Sequence, residues 1–344
     1  MDRLRIIAIV APLLALIGTS AAGPYAHASP SPIPPATVVL SRTDRILIPP
    51  GWTSPELLFP RGRIDYRQVV PLLSDAVTEF TGHDDPLTSP WRNIATSNDK
   101  VAIQVDLQKP PVAIETINAI IDGLIAAGVS QDNIIVYARS ETDLFAAGIS
   151  VNPTGRGVRT MGSDSEGFRG GLSRIVLDYA TLIINVARLR AHKTLGMTGC
   201  VVNHLAAVPH TERLRLLADP AQLPRAAAHP YVRRKTHLHI LEAYQPVLQD
   251  TGEEFPPTWE YRGLLMSADP VATDIVGMRI LRARLAQSEP PPDTGHAAPE
   301  AALTYLQAAG SNRFRAGQAD PENITIKVLG TTNNILINIP STDQ

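Results

Sequence analysis

The sequence predicts an α/β fold: a mostly parallel sheet with flanking helices, assembled from βαβ units in a single large domain. Three observations lead there. Strand patterns recur: Val101–Leu107 alternates, Asn133–Tyr137 and Leu182–Val186 are short runs of the kind buried in a sheet, and Leu264–Ala268 reads as strand. Helical periodicity fills the first interval, Ala113–Ala127, and stops at Gly128, a residue suited to the left-handed position after a helix. Strand, helix and strand in so short a span form a βαβ unit with a right-handed crossover. The 344 residues, 44% of them hydrophobic, can supply one large core.

In chain order, the first segment has a basic start, Asp2-Arg3-Leu4-Arg5, then the apolar run Ile6–Ile17 and small residues ending in Ala26-His27-Ala28. That is the layout of a cleavable secretory signal over residues 1–28. The apolar run is shorter than the roughly 20 residues a spanning helix needs. The expectation is an exported protein, periplasmic or secreted, with no stable membrane span after cleavage.

Residues 29–60 are Pro-rich and read as a surface arm or linker, leaving 61–340 for the α/β domain. Arg63–Phe80 carries Val69, Val70, Leu72, Leu73, Ala76, Val77 and Phe80 at helical spacing. After the second strand, Arg139-Ser140-Glu141-Thr142-Asp143 has the polar chemistry of a helix start, and a Gly-rich stretch spans Gly155–Gly171. Arg213–Ala228 is helical until Pro220 and Pro224 break it, and His237–Ala243 fits strand or helix. A helix follows Leu264–Ala268 from Asp269 to about Leu285, Pro299–Ala309 is a short helix, and Ile324–Leu329 and Ile335–Ile339 are closing strands.

Composition narrows the function. A net charge of −2 offers no electrostatic footprint for nucleic acid. Cys200, the single cysteine, rules out an intramolecular disulfide and an all-cysteine metal or iron–sulfur site. A small-molecule ligand is the expected partner, with the oligomeric state open.

Ligands of open parallel sheets bind beyond the carboxyl ends of the strands. The polar residues at those places are Asp106, Arg139 with Ser140, His192 with Lys193, Glu242, and Asp269 with Asp274. His192 sits between Arg190 and Lys193, and neighbouring cations favour the neutral imidazole that can serve as a general base. A hydrogen-bonded loop histidine fits the same spacing. Gly196-Met197-Thr198-Gly199 lets backbone N–H groups approach an anion at a helix start, or is a tight turn with a capping threonine. It is not a Walker loop, since no Gly-Lys-Ser/Thr follows.

Asn203 and His204 come next. A divalent metal held by His192, His204 and a carboxylate such as Glu242 is open, as is a weaker pair at His237 and His239. Asp269-Pro270 has capping chemistry, whereas Asp274 lies on an apolar face and must find a partner. Cys200 is a packed residue, and Ser140 lacks the elbow of a serine hydrolase.

Two motifs resemble a known family. The run Ile184–His192, with Gly196–Gly199 and Asn203-His204, resembles the central motif of domain of unknown function family 362. Leu265–Asp274 resembles its second motif, and Val101–Ile149 its N-terminal βαβ, so the resemblance covers roughly residues 98–330. It implies an α/β fold and no established activity.

The chain departs from that pattern at Val202, where the family carries Lys, at Ala206, where it carries Gly, and at Gln104-Val105-Asp106, where it carries Lys-x-Asn. The iron–sulfur modules of some relatives are absent. More distantly, His192, Gly196, Thr198 and Gly199 resemble nickel-pincer lactate racemase, but the lysine tethering its cofactor would fall at Val202.

The resulting expectation is an exported enzyme acting on a small anionic substrate. His192 is its general base, and Asp274 and Glu242 orient the base or a metal. Lys193, Gly196, Thr198, Gly199, Asn203, Arg139 and Ser140 bind the substrate. The alternative is a non-catalytic exported protein that binds a ligand or metal on the same fold.

Overall fold

A run as apolar as Leu182–Val186 is stable only between other strands, and that is where it lies. The computed structural model describes residues 31–48, 63–253, 256–287 and 297–338. The expected signal, residues 1–28, falls outside them. The central feature is a nine-stranded sheet. Its strands are β1 (Ala36–Arg42), β2 (Val101–Val105), β3 (Ile134–Ala138), β4 (Arg159–Gly162), β5 (Leu182–His192), β6 (Gly196–Thr198), β7 (Thr236–Val247), β8 (Gly263–Ser267) and β9 (Ile324–Gly330).

The order in space is β9-β1-β8-β7-β5-β2-β3-β4, with β6 folded back on β5. Every strand of that path runs the same way except β8, which is antiparallel to both its neighbours. The fold class is thus the expected one, and the residues from Ile33 onward form one unit. Among the described residues, no helix is long and apolar enough to cross a membrane.

Alternation along β5 feeds two apolar layers. Leu182, Ile184 and Val186 pack under helices α1 (Tyr66–Thr81) and α2 (Ile114–Ala126). Ile183, Ala187, Leu189 and Ala191 pack on the other face, towards α6 (Pro270–Ala286) and α7 (Leu303–Gly310). Between these elements lie α3 (Glu141–Ala146), α4 (Cys200–Asn203) and α5 (His210–Ala218). The Asp65 side chain accepts from Arg67 N–H to start α1, and Gly82 at φ 64° closes it. Gly128, at φ 99°, follows α2 as its sequence position implied.

Two expectations need correction, and the segment left open between strand and helix resolves. The Pro-rich segment 29–60 is not wholly a surface arm, because β1 within it is a buried strand paired with β8 and β9. Its Thr-Val-Val-Leu core outweighs the prolines around it. The region Ile335–Ile339 forms no strand over its described residues; Ile335, Leu336 and Ile337 pack against the core as irregular chain. His237–Ala243 is strand, part of the twelve-residue β7.

Candidate functional site

The site begins with a mismatch of length. β2 pairs with β5 only as far as Val105 and Val186, yet β5 continues to His192. The chain leaving β2 therefore turns across the overrunning end of β5, and two arginines of β5 hold it. Arg190 donates to the carbonyls of Gln108, Lys109 and Pro110 at 2.9–3.0 Å and to Asp106 at 3.2 Å. Arg188 donates to Pro111 O at 2.7 Å and lies 3.8 Å from Glu242. Burying a guanidinium is tolerable when its donors are spent on carbonyls and a carboxylate.

After His192 the chain reverses into β6, pairing Gly196 with His192 and Thr198 with Arg190. Gly196 is required twice over: its φ is +75°, and a Cβ there would sit 2.4 Å from Ala298 O. Gly199 has a different reason, since a Cβ would meet the Asp274 carboxylate at 2.4 Å. That carboxylate accepts from Cys200 N–H at 2.7 Å and Val201 N–H at 2.9 Å. The helix start at which the sequence expected a substrate anion is thus filled by the protein's own Asp274. Burial pushes the Asp274 carboxyl up to about 7, against the pull of those two N–H donors.

A cleft of about 100 Å³ opens at the carboxyl ends of β2 and β3. Its polar wall includes Asp106, Gln108, Arg139, His192, Thr198 and Arg213. His192, Thr198, Gly199, Asn203 and Arg139 all line this cleft.

His192 is held in one tautomer. Its Nδ1 accepts from Thr194 N–H at 3.3 Å and Leu195 N–H at 3.2 Å, so the neutral ring carries its proton on Nε2. Burial lowers its pKa most; Asp250 opposes this, and Arg190 and Lys193 add to it. The ring therefore presents a donor, Nε2–H, where the sequence suggested a base.

Thr198, only 4% exposed, lines the cleft, and its hydroxyl has no hydrogen-bond partner. Arg139 is matched by Asp143 through two bonds of 3.1 Å. Ser140 caps α3 by accepting from Asp143 N–H, and the cleft lining does not include it.

Other expected site residues lie elsewhere. Lys193 is exposed and does not line the cleft. Glu242 is buried against the start of α2, accepting from Ala113 N–H at 3.0 Å and Thr116 Oγ1 at 2.8 Å, and burial raises its pKa. It supplies the cap that α2, starting after Ala113, lacks from its own residues. His204 sits in a buried polar network at the middle of the sheet. There Asn185 Nδ2 faces Cys200 O at 2.9 Å, His239 Nδ1 at 3.0 Å and His204 Nε2 at 3.3 Å.

Asn203 Nδ2 donates to Asn185 Oδ1 at 2.8 Å, and Gln104, which accepts from Tyr137 Oη, donates to Asn203 O at 2.7 Å. Burial lowers His204 to about 3, keeping it neutral. His192, His204 and Glu242 are thus engaged in three separate settings. Among the described residues, no three His, Cys, Asp or Glu side chains are placed to hold a metal ion.

Sequence reasoning missed Arg213. It projects from α5, is 9% exposed, lines the cleft and donates from Nη1 to Val208 O at 3.1 Å. No carboxylate lies within ion-pairing distance of it among the described residues, although Asp143 and Asp164 attract it from further away; burial lowers its pKa most. One arginine among many carries no sequence signal of this kind. Asn185 did carry one, as a lone amide inside an apolar strand.

Residues 165–279 match the family model of Domain of unknown function (DUF362). The matched stretch holds β5 and β6, with His192, Thr198 and Arg213, and reaches Asp274; it leaves Asp106 and Arg139 outside. The matched stretch thus supplies one wall of the cleft. No curated protein matches the chain. Among solved structures, a structural-genomics crystal structure of a Thermotoga maritima protein is 10% identical. The alignment covers 82% of this chain and 93% of that one, with a TM-score of 0.33, too slight a likeness to bear on fold or function.

Proposed function

We propose that the chain is an exported protein that binds a small anion in the cleft at the carboxyl ends of its parallel strands. The observation that carries this is Arg213, about nine-tenths buried in the cleft wall, with Val208 O as its hydrogen-bond partner and, among the described residues, no carboxylate within ion-pairing distance. Keeping a desolvated charge without a counterion is costly, so a ligand anion is its natural complement. Thr198, whose hydroxyl is buried without a partner, and the neutral His192 ring line the same cleft.

Binding, not turnover, is the reading the side chains support best. Both Asp274 oxygens are engaged by backbone N–H groups, Glu242 caps α2, and His192 Nδ1 faces two N–H donors. None of the three is left as an available base. The test is a thermal-shift titration with acetate and inorganic phosphate on the wild type and Arg213→Gln. A stabilising shift in the wild type that vanishes in the variant is expected. Equal shifts in both, or none with any anion, would remove the proposal.

A further inference from the structure

We infer that the anion is a monocarboxylate with a short apolar chain. The inference rests on the anion-binding reading and adds the ligand's chemical class. Its first support is a charge count at the cleft. Arg139 is matched by Asp143 in a two-bond pair, and the Asp106 carboxylate is matched by Arg190. Among the charged side chains that line the cleft, Arg139 and Arg213 stand against Asp106 alone; Arg213 makes no ion pair among the described residues, with Arg139 repelling it and Asp143 and Asp164 attracting it from outside the lining. The site therefore offers one positive charge. A dianion would bring a second negative charge towards Asp106 with no cation to receive it, and in a partly dehydrated site that repulsion is strong.

The second support is the opposite wall. Val105, Leu107, Val202, Leu205 and Leu217 line the same small cavity. Leu217 follows Arg213 by four residues on α5, so charge and apolar surface share one face of the helix. Leu217 is 39% exposed, a large aliphatic side chain left open to solvent beside a buried cation. A hydrophobe so placed gains by being covered. Arg213 offers the charge that receives the head group, with Thr198 and His192 beside it in the lining, and the Leu217 wall receives the chain attached to that group. A cavity of about 100 Å³ limits that chain to a few carbons.

Calorimetric titration of the full chain with acetate, propionate, butyrate, succinate and inorganic phosphate, at one pH and ionic strength, tests this. Affinity should rise roughly four-fold per methylene from acetate to butyrate. Succinate and phosphate should bind at least about tenfold more weakly than butyrate. Leu217→Ser should flatten the chain-length slope, and Leu217→Met, which keeps the apolar surface, should retain it. Unliganded melting of both variants establishes that they fold. Phosphate binding tightest, or equal affinity for acetate and butyrate, overturns the monocarboxylate assignment and leaves the anion site standing. No binding of any anion, or binding that survives Arg213→Gln, overturns the reading beneath it.

Discussion

Two sets of buried polar groups meet along β5, and they differ in whether their hydrogen bonds are already spent. In the middle of the sheet, Gln104, Tyr137, Asn185, Asn203 and His239 bond to one another and to backbone carbonyls, leaving His204 Nδ1 over. The carboxylates flanking them, Asp274 and Glu242, are likewise taken up by helix N–H groups. At the end of β5, by contrast, Arg213, Thr198 and His192 line a cleft, with Arg213 bonded to one carbonyl and the buried Thr198 hydroxyl to nothing among the described residues. A satisfied network fixes the position of the elements it joins, whereas donors without acceptors mark where something else binds. The titratable groups that looked most catalytic in the sequence belong to the first set.

The contrast can be broken most directly at Asp274. Asp274→Ala would leave Cys200 and Val201 N–H buried and unpaired, at about 1–3 kcal/mol each. We expect a loss of about 2–6 kcal/mol in urea unfolding at pH 8, while Asp274→Asn, which keeps one acceptor, loses less. Arg213→Gln should do the reverse, changing stability by less than about 1 kcal/mol because the removed charge was not paired, while abolishing anion binding. If Asp274→Ala is neutral to stability, or Arg213→Gln unfolds the protein, the division between spent and unspent groups is wrong.

Dependence on pH separates the two members of the spent set by sign. The folded His204 holds at about 3, below the ordinary imidazole value of 6.5, so the unfolded chain takes up its proton first. Its contribution to stability is intact above pH 6.5 and is lost progressively as pH falls towards 3. Asp274 runs the other way: with its folded value raised from 3.8 to about 7, its ionisation costs stability as pH rises through that window, and the effect is level above it. Unfolding free energies of the wild type, His204→Asn and Asp274→Asn across pH 4–8 should show the first variant less acid-sensitive and the second with a shallower decline towards neutral pH. Parallel curves for all three would contradict both assignments.

How far the sequence reached follows the same division. The strands were legible because both faces of the sheet are covered, so Leu182–Ile184 and Ile134–Tyr137 show unbroken apolar runs. The full length of β5 was not, because Arg188 and Arg190 look like loop residues until the carbonyls of 108–111 are brought around them. β1 was hidden among prolines for a related reason: its partners are more than 200 residues away in the chain. At the site, His192, Thr198 and Arg139 were legible from their places after strands. Asp274 was read as a buried carboxylate needing a partner and Glu242 as one that orients a base or a metal, but spacing cannot say whether the partner is a ligand or a helix end from elsewhere in the chain. Arg213 could not be picked out, since its meaning depends on α5 lying over the ends of β2 and β3.

The smallest expected effect is at Lys193, which the sequence placed in the anion cradle beside His192. In the fold its backbone is tied down, donating to Asp250 at 3.4 Å and accepting from Ala297 N–H at 2.8 Å, while the side chain stays exposed and away from the cleft lining. A solvent-exposed ammonium contributes to a nearby anion only through a field that salt screens over about 10 Å. Lys193→Ala should therefore change anion affinity by no more than about twofold at 0.15 M salt. A tenfold loss, measured in the same titration that tests Arg213→Gln, would mean that the loop after β5 closes over bound ligand and brings Lys193 with it. The cleft's spare donors would then be one short, and the cation count that points to a singly charged ligand would rise by one.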